Sequence, residues 1–235
     1  MDITFLGHSA FRIDCGEAHV LIDPFLTGNP MFEASGLSMV SVQQGVTHVV
    51  VTHGHNDHVG DAAAICKATG ATLSSNYEVC TVLGGHGVNS VQPGNSGGSI
   101  DLGSFRLAFT PALHSSSLSG EAGPVYMGNP MGVVLNFAAE PGKPLYHMGD
   151  TAIFGDMALI EELYHPAIGI VPIGDRFTMG AKQAALACTR YFKFETVFPC
   201  HYATFGLLDP TADAFVAAMK GQDVRVPKPG QRVSV

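Results

Sequence analysis

Between Val46 and Gly70 the chain passes from a β-branched run, through a short polar stretch, into an alanine-rich segment. Val46–Val51 reads as a buried strand, Thr52–Gly60 as a functional turn, and Asp61–Ala68 as a helix with Gly70 as its C-terminal stop. Ala71–Ser74 resumes as a strand. The same plan recurs later: strand 144–147, turn 148–151, helical spacing over 154–163, and strand 168–173. A chain that twice alternates strand, polar turn, helix and strand predicts sheets covered by helices, in two related halves. Residues 2–6, 10–14 and 18–23 read as an antiparallel start. Segment 84–99, with seven glycines or prolines, reads as a long loop and a candidate flap. No linker or low-complexity tract divides residues 1–235, which are expected to form one domain.

The polar turn carries the chemistry. In His53-Gly54-His55-Asn56-Asp57-His58, three imidazoles and a carboxylate fall within six positions. Residues two apart on extended backbone point the same way, so His53 and His55 can grip one cation. The chain then swings Asp57 and His58 toward a second cation, with Gly54 leaving room for close approach. Further candidates stand just past other predicted strands: His114 after 105–112, Asp150 after 144–147, and His201 after 196–200. Ligand sites of α/β sheets gather at that edge. His8 follows the first strand and reads as a proton donor or substrate contact, with a structural hydrogen-bonding role as the alternative. His147 reads as a buried, satisfied histidine, His86 as a flap residue, and Asp175 and Thr178 as rim residues. Cys200 faces away from His201 and reads as core.

Composition narrows the classes. Twelve Lys+Arg against twenty Asp+Glu give a charge of −8, which argues against nucleic acid as a partner. No run approaches a membrane span, and the N-terminus lacks the pattern of a secretory leader. Five scattered cysteines without CxxC spacing suggest reduced thiols in a cytoplasmic protein. Ser115–Ser117 lack the G-x-S-x-G elbow, which makes a serine hydrolase improbable.

The stations His53-Gly-His55-Asn-Asp57-His58, His114, Gly149-Asp150 and His201 resemble the signature of the metallo-β-lactamase superfamily. Phe5-Leu-Gly-His-Ser9, Ile22-Asp-Pro-Phe25, Ala112-Leu-His-Ser-Ser116 and His201-Tyr-Ala-Thr-Phe205 resemble its branch of metal-dependent hydrolases. That branch is similar to ascorbate-6-phosphate lactonase and N-acylphosphatidylethanolamine phospholipase D. The resemblance implies an α/β fold, the αββα sandwich, with His53, His55 and His114 on one metal. It places Asp57, His58 and His201 on a second metal, with Asp150 bridging the two. It implies self-association in some relatives, although this chain offers no clean interface stripe.

An imidazole and carboxylate set without thiolate suits two divalent ions, Zn²⁺ first, with Mn²⁺ or Fe²⁺ as alternatives. Water held between such ions is largely hydroxide near neutral pH. The expected activity is therefore metal-dependent hydrolysis of an ester, lactone, amide or phosphodiester in a small substrate, anionic or carbonyl-bearing. Asp57 would orient the nucleophile. Two alternatives stand beside it: a phosphodiesterase acting on nucleotides or lipid head groups, and a metal-bound binding module without turnover.

Overall fold

A computed structural model describes residues 1–120 and 123–235. The chain opens with three strands, β1 (Asp2–Gly7), β2 (Ala10–Cys15) and β3 (Ala18–Ile22), followed by helices α1 (Pro30–Ala34) and α2 (Met39–Gln43). Next come β4 (His48–Val50), α3 (Asn56–Val59), α4 (Ala62–Thr69), β5 (Thr72–Asn76), α5 (Tyr77–Gly85) and β6 (Val91–Gly94). The middle holds β7 (Ser99–Asp101), β8 (Phe105–Pro111), β9 (Ser117–Gly120), β10 (Gly123–Tyr126), β11 (Met131–Phe137) and β12 (Leu145–His147). The chain closes with α6 (Met157–Tyr164), β13 (Ile168–Pro172), α7 (Ala181–Tyr191), β14 (Thr196–Cys200), α8 (Asp213–Ala218), β15 (Asp223–Val224) and β16 (Arg232–Ser234).

Apart from the two-stranded β9–β10 ribbon, the described strands form two sheets of mirrored design. One has the order β16-β1-β2-β3-β4-β5-β6 and the other β15-β14-β13-β12-β11-β8-β7. Each is antiparallel on one side and parallel on the other, with the change at β3 in the first and β12 in the second. The inner faces supply a shared core that includes Phe5, Phe11, Ile22, Phe109, Val133 and Phe198. Outside the first sheet, Ile65 of α4 and Val79 of α5 pack on Leu21, Val49 and Leu73. Outside the second, Ile160 of α6 and Ala184 of α7 pack on Tyr146 and Val171. Both faces of the parallel strands are thus covered, which is why β13 and β14 are buried throughout. The result is the expected αββα sandwich.

Several local readings hold with shifted ends. The alanine-rich helix spans Ala62–Thr69, and Gly70 closes it in the left-handed conformation with its N–H on Cys66 O. The segment 84–99 departs from the reading as a flap. Its centre is β6, which pairs in parallel with β5 from Leu73↔Val91 to Asn76↔Gly94. Pro93 is tolerated there because β6 is an edge strand. Gly94 is fixed against the Phe109 ring, where an added Cβ would stand 2.1 Å from Cε2.

Candidate metal centre

All the candidate groups leave the C-terminal ends of strands. His8 follows β1, Asp23 follows β3, residues 52–58 follow β4, His114 follows β8, Asp150 follows β12 and His201 follows β14. Two sheets therefore deliver side chains to one edge. His8, Asp23 and His201 adopt positive φ (+57°, +46° and +57°), a backbone region that non-glycine residues enter at a cost of about 1–3 kcal/mol. A backbone bond from His201 N to His8 O, 2.9 Å, ties the two sheets together at this edge. Residues 52–54 form a bend rather than a strand, His55 is the extended residue before α3, and Asp57 and His58 lie on the single turn of α3.

The structure brings the seven expected groups together in two neighbouring clusters. His53 Nε2 lies 3.0 Å from His55 Nδ1, and His114 Nε2 lies 3.3 Å from the same nitrogen. Asp57, His58 and His201 form the second group, joined by His8, with candidate donor atoms all within 4.8 Å of one another. Asp150 Oδ2 stands between the clusters, 3.0 Å from His201 Nε2, 3.3 Å from His58 Nε2, 3.6 Å from His114 Nε2 and 4.0 Å from His53 Nε2.

Neighbouring hydrogen bonds fix which nitrogen faces inward. Asp23, fully buried, takes Thr52 N–H on Oδ1 and the Thr52 hydroxyl on Oδ2, each at 2.7 Å. The Thr52 proton is thereby used, so His53 Nδ1–H donates to Thr52 Oγ1 and its Nε2 presents a lone pair. His58 Nδ1–H donates to Asp23 Oδ2 at 2.7 Å, which turns His58 Nε2 toward Asp150. His55 pairs through Nε2 with Ser115 Oγ at 3.2 Å, leaving Nδ1 for the cluster. Nitrogens of three imidazoles, His53 Nε2, His55 Nδ1 and His58 Nε2, thus face one space. Among the described residues, His58 Nε2 and Asp150 Oδ1 are buried without a hydrogen-bond partner. Buried polar atoms are rarely left so, and this donor set fits divalent cations. Cations at this point would satisfy the converging nitrogens and the carboxylates together.

The electrostatics agree. Burial pushes His53 well below the usual histidine range, reinforced by the neighbouring His58. Burial likewise lowers His55 and His114. Burial opposes charge on Asp57 and Asp150 too, yet the surrounding imidazoles outweigh it and hold both carboxyls well below their ordinary range. His58 runs the other way: burial disfavours its charge, but Asp150 and Asp23 raise it well above the usual value. In metal-free protein, His8, His53, His55, His114 and His147 stay neutral where the unfolded chain takes up protons. Stability should then fall as pH drops below the unfolded histidine value, by at most about 1.4 kcal/mol per group per pH unit, and by less for the half-buried His55 and His114. His58 contributes in the opposite sense, its stabilisation being complete on the acid side and lost at alkaline pH. Chelator-treated protein is expected to melt at a lower temperature near pH 5 than near pH 7 by calorimetry, because six lowered histidines, the half-buried His48 among them, outnumber one raised. A flat profile would show that these imidazoles take up protons equally in both states.

Sequence matching to a family model describes residues 18–202 as a β-lactamase superfamily domain. The chain belongs to this superfamily. A UPF0173 metal-dependent hydrolase of Methylocella silvestris is 57% identical over 229 residues, 97% of each chain. One from Chelativorans sp. is 53% identical over 239 residues, covering both chains completely. Among solved structures, Igni18, a metallo hydrolase from the archaeon Ignicoccus hospitalis, superposes with a TM-score of 0.87 at 34% identity, over 99% of this chain and 97% of its own.

Within this superfamily fold, the supporting residues can be placed. His147 is buried and fully used: Nδ1 accepts Gly149 N–H at 3.0 Å and Nε2–H donates to Ser9 O at 3.1 Å. It holds the turn that presents Asp150. His86 sits exposed at the C-terminal end of α5, about 14 Å from the sheet edge where that helix begins, at 1.5 Å per residue. It is therefore not a site residue. Asp175 and Thr178 belong to the loop closed by the Gly174–Gly180 bridge, and Asp175 Oδ1 folds back over Gly180 instead of reaching the cluster. Cys200 is buried in the core between the sheets.

Asp23, Thr52, Ser116 and Thr204 carry supporting roles that the spacing of the motifs did not reveal. Ser116 Oγ accepts Gly54 N–H at 3.0 Å and donates to Met127 O at 3.0 Å, pinning the residue between His53 and His55. A Cβ on Gly54 would lie 2.1 Å from Met127 Cβ. Gly54→Ala is expected to cost about 3 kcal/mol and to disturb the His53–His55 pair. Thermal unfolding with and without added Zn²⁺ checks this, and wild-type behaviour in both would contradict it. Beside this turn, Ser119 N–H donates to Asn56 Oδ1 at 3.1 Å, seating the β9–β10 ribbon over the His55 side.

Proposed function

We propose that residues 1–235 act as one unit, a binuclear metal-dependent hydrolase of a small anionic or carbonyl-bearing substrate. The observation that carries this reading is Asp150, whose Oδ2 stands 3.0–4.0 Å from imidazole nitrogens of both clusters. His53, His55 and His114 would hold one cation, and Asp57, His58 and His201 the other, with Asp150 shared. Zn²⁺ suits these donors best, and Mn²⁺ or Fe²⁺ can take the same set. When bound, two such ions supply an activated water and polarise the scissile carbonyl or phosphoryl group.

The chain's own residues do the positioning. Asp57 is the most accessible carboxylate of the site, at 29% exposure, and so stands where it can orient a water. Asp150 and His58 are sealed from solvent and hold their geometry through Asp23 and the His147-supported turn. Two divalent ions carry +4 against −2 from Asp57 and Asp150, leaving about +2 at the floor of the site. That excess favours an anionic ground state and an oxyanion in the transition state. Leu113, beside His114, and Phe205, whose ring centroid is 5.2 Å from that of His8, are exposed and offer apolar contact to the non-reacting part of a substrate. Ester, lactone, amide and phosphodiester centres all meet these requirements, and a phosphodiesterase acting on nucleotides or lipid head groups is the reading an anionic substrate would favour.

The five cysteines are free and buried, which suits a reducing, cytoplasmic setting, and no helix among the described residues is long and apolar enough to cross a membrane. The test is metal analysis joined to a screen of lactone, phosphodiester, amide and thioester substrates. Two divalent ions per chain, with turnover abolished by chelator and restored by metal, are expected. Protein that binds no transition metal and turns over nothing with metal added would overturn the reading.

A further inference from the structure

His8 occupies an unusual position for a residue outside the seven. It is fully buried, its backbone lies at φ +57°, and its ring packs on that of His201 at a centroid distance of 4.2 Å. Its two nitrogens face opposite partners. Nδ1 lies 2.9 Å from Thr204 Oγ1, and Nε2 lies 2.9 Å from Asp57 Oδ2. Thr204 has a single hydroxyl proton, and its other neighbours, Tyr202 O at 3.1 Å and Met31 Sδ at 3.3 Å, can only accept it. When Thr204 gives that proton to Tyr202 O, its Oγ1 accepts from His8 Nδ1–H and His8 Nε2 is left with a lone pair. Nε2 faces Asp57 Oδ2, and donor atoms of His8, Asp57, His58 and His201 all lie within 4.8 Å of one another, close enough for one cation to take all four.

Resting on the binuclear reading above, we infer that His8 is a ligand of the second cation, through Nε2, rather than a proton donor to the substrate. This makes the two sites unequal. The first has three nitrogens and one oxygen from His53, His55, His114 and Asp150. The second has three nitrogens and two oxygens from His8, His58, His201, Asp57 and Asp150. The spacing is compatible with ligands to one ion: bonds of about 2.1 Å put any two ligand atoms no more than about 4.2 Å apart. The His8–Asp57 and His201–Asp150 separations are 2.9 and 3.0 Å, His58–Asp150 is 3.3 Å, and Asp57 stands 4.0 and 3.9 Å from His58 and His201. Thr204 would act as a positioning residue, taking the Nδ1 proton as outer partners of metal-bound histidines do. With five protein donors, the second site suits an ion that takes five or six ligands, while the first suits tetrahedral coordination.

Full-length protein labelled with nitrogen-15 histidine and loaded with cadmium-113 tests this without reference to turnover. One-bond cadmium–nitrogen coupling counts the ligated imidazoles directly. Six coupled histidines are expected: His8, His53, His55, His58, His114 and His201. Five, with a proton on His8 Nε2, would overturn the assignment of His8 and leave the binuclear reading standing. Fewer than five would overturn both. A second arm uses His8→Asn, because asparagine tolerates positive φ. With unchanged circular dichroism, one cation should bind at least about tenfold more weakly while the other keeps its affinity, the lower end of what even outer partners of a ligand contribute. Wild-type affinity at both sites would contradict ligation by His8.

Discussion

Asp150→Asn is expected to abolish hydrolysis by on the order of 10³-fold or more and to reduce the bound metal from two ions to one or none. The replacement is nearly isosteric, so the effect would come from charge and donor chemistry. An amide presents one oxygen instead of two and carries an N–H₂ that repels cations. It also leaves His58 and His201 without the carboxylate that now stands 3.3 and 3.0 Å from them. Metal content by mass spectrometry, together with the rate on the best substrate of the screen, checks both parts. The variant also separates an enzyme from a binding module, because a binder could keep its small-molecule ligand when turnover is lost. Full activity with two ions bound would remove Asp150 from the centre of this account.

Asp23→Ala should produce the largest loss of stability. Asp23 accepts three hydrogen bonds, from Thr52 N–H, the Thr52 hydroxyl and His58 Nδ1–H, and is wholly buried. Its removal strands those donors, at a cost of about 3–5 kcal/mol. For a chain of this size that lowers Tm by roughly 10 °C, at about 2–4 °C per kcal/mol. Metal affinity should fall by about 10- to 100-fold, since His58 loses the partner that aims Nε2. Asp23→Asn keeps the volume but sets an N–H₂ against at least one of the three donors, so it too should lose stability. Native-like melting of both variants would show that the Asp23 network is dispensable.

How much of this was legible follows from where the information lies along the chain. His53, His55, Asp57 and His58 are local in sequence, and their spacing alone announces a cation site. His114, Asp150 and His201 were legible because each directly follows an apolar strand, and strand ends meet at one sheet edge. Asp23 obeys the same rule in Ile22-Asp-Pro-Phe25, yet its task, holding His58 and Thr52, depends on partners 35 and 29 residues away. Ser116 and Thr204 were hidden for the same reason. The segment 84–99 was misread because glycine and proline usually mark loops, whereas an edge strand tolerates both. Helix α7 escaped because its buried face is Ala184, Ala185, Ala187 and Cys188, small side chains that give a weak apolar signal while letting the helix lie close to the sheet.

Crystals of protein loaded with Zn²⁺, measured on both sides of the zinc absorption edge, test the central claim most directly. Two anomalous peaks per chain are expected, one among His53, His55 and His114, the other among Asp57, His58 and His201, with Asp150 in contact with both. A single peak, or peaks away from Asp150, would contradict a paired-cation centre.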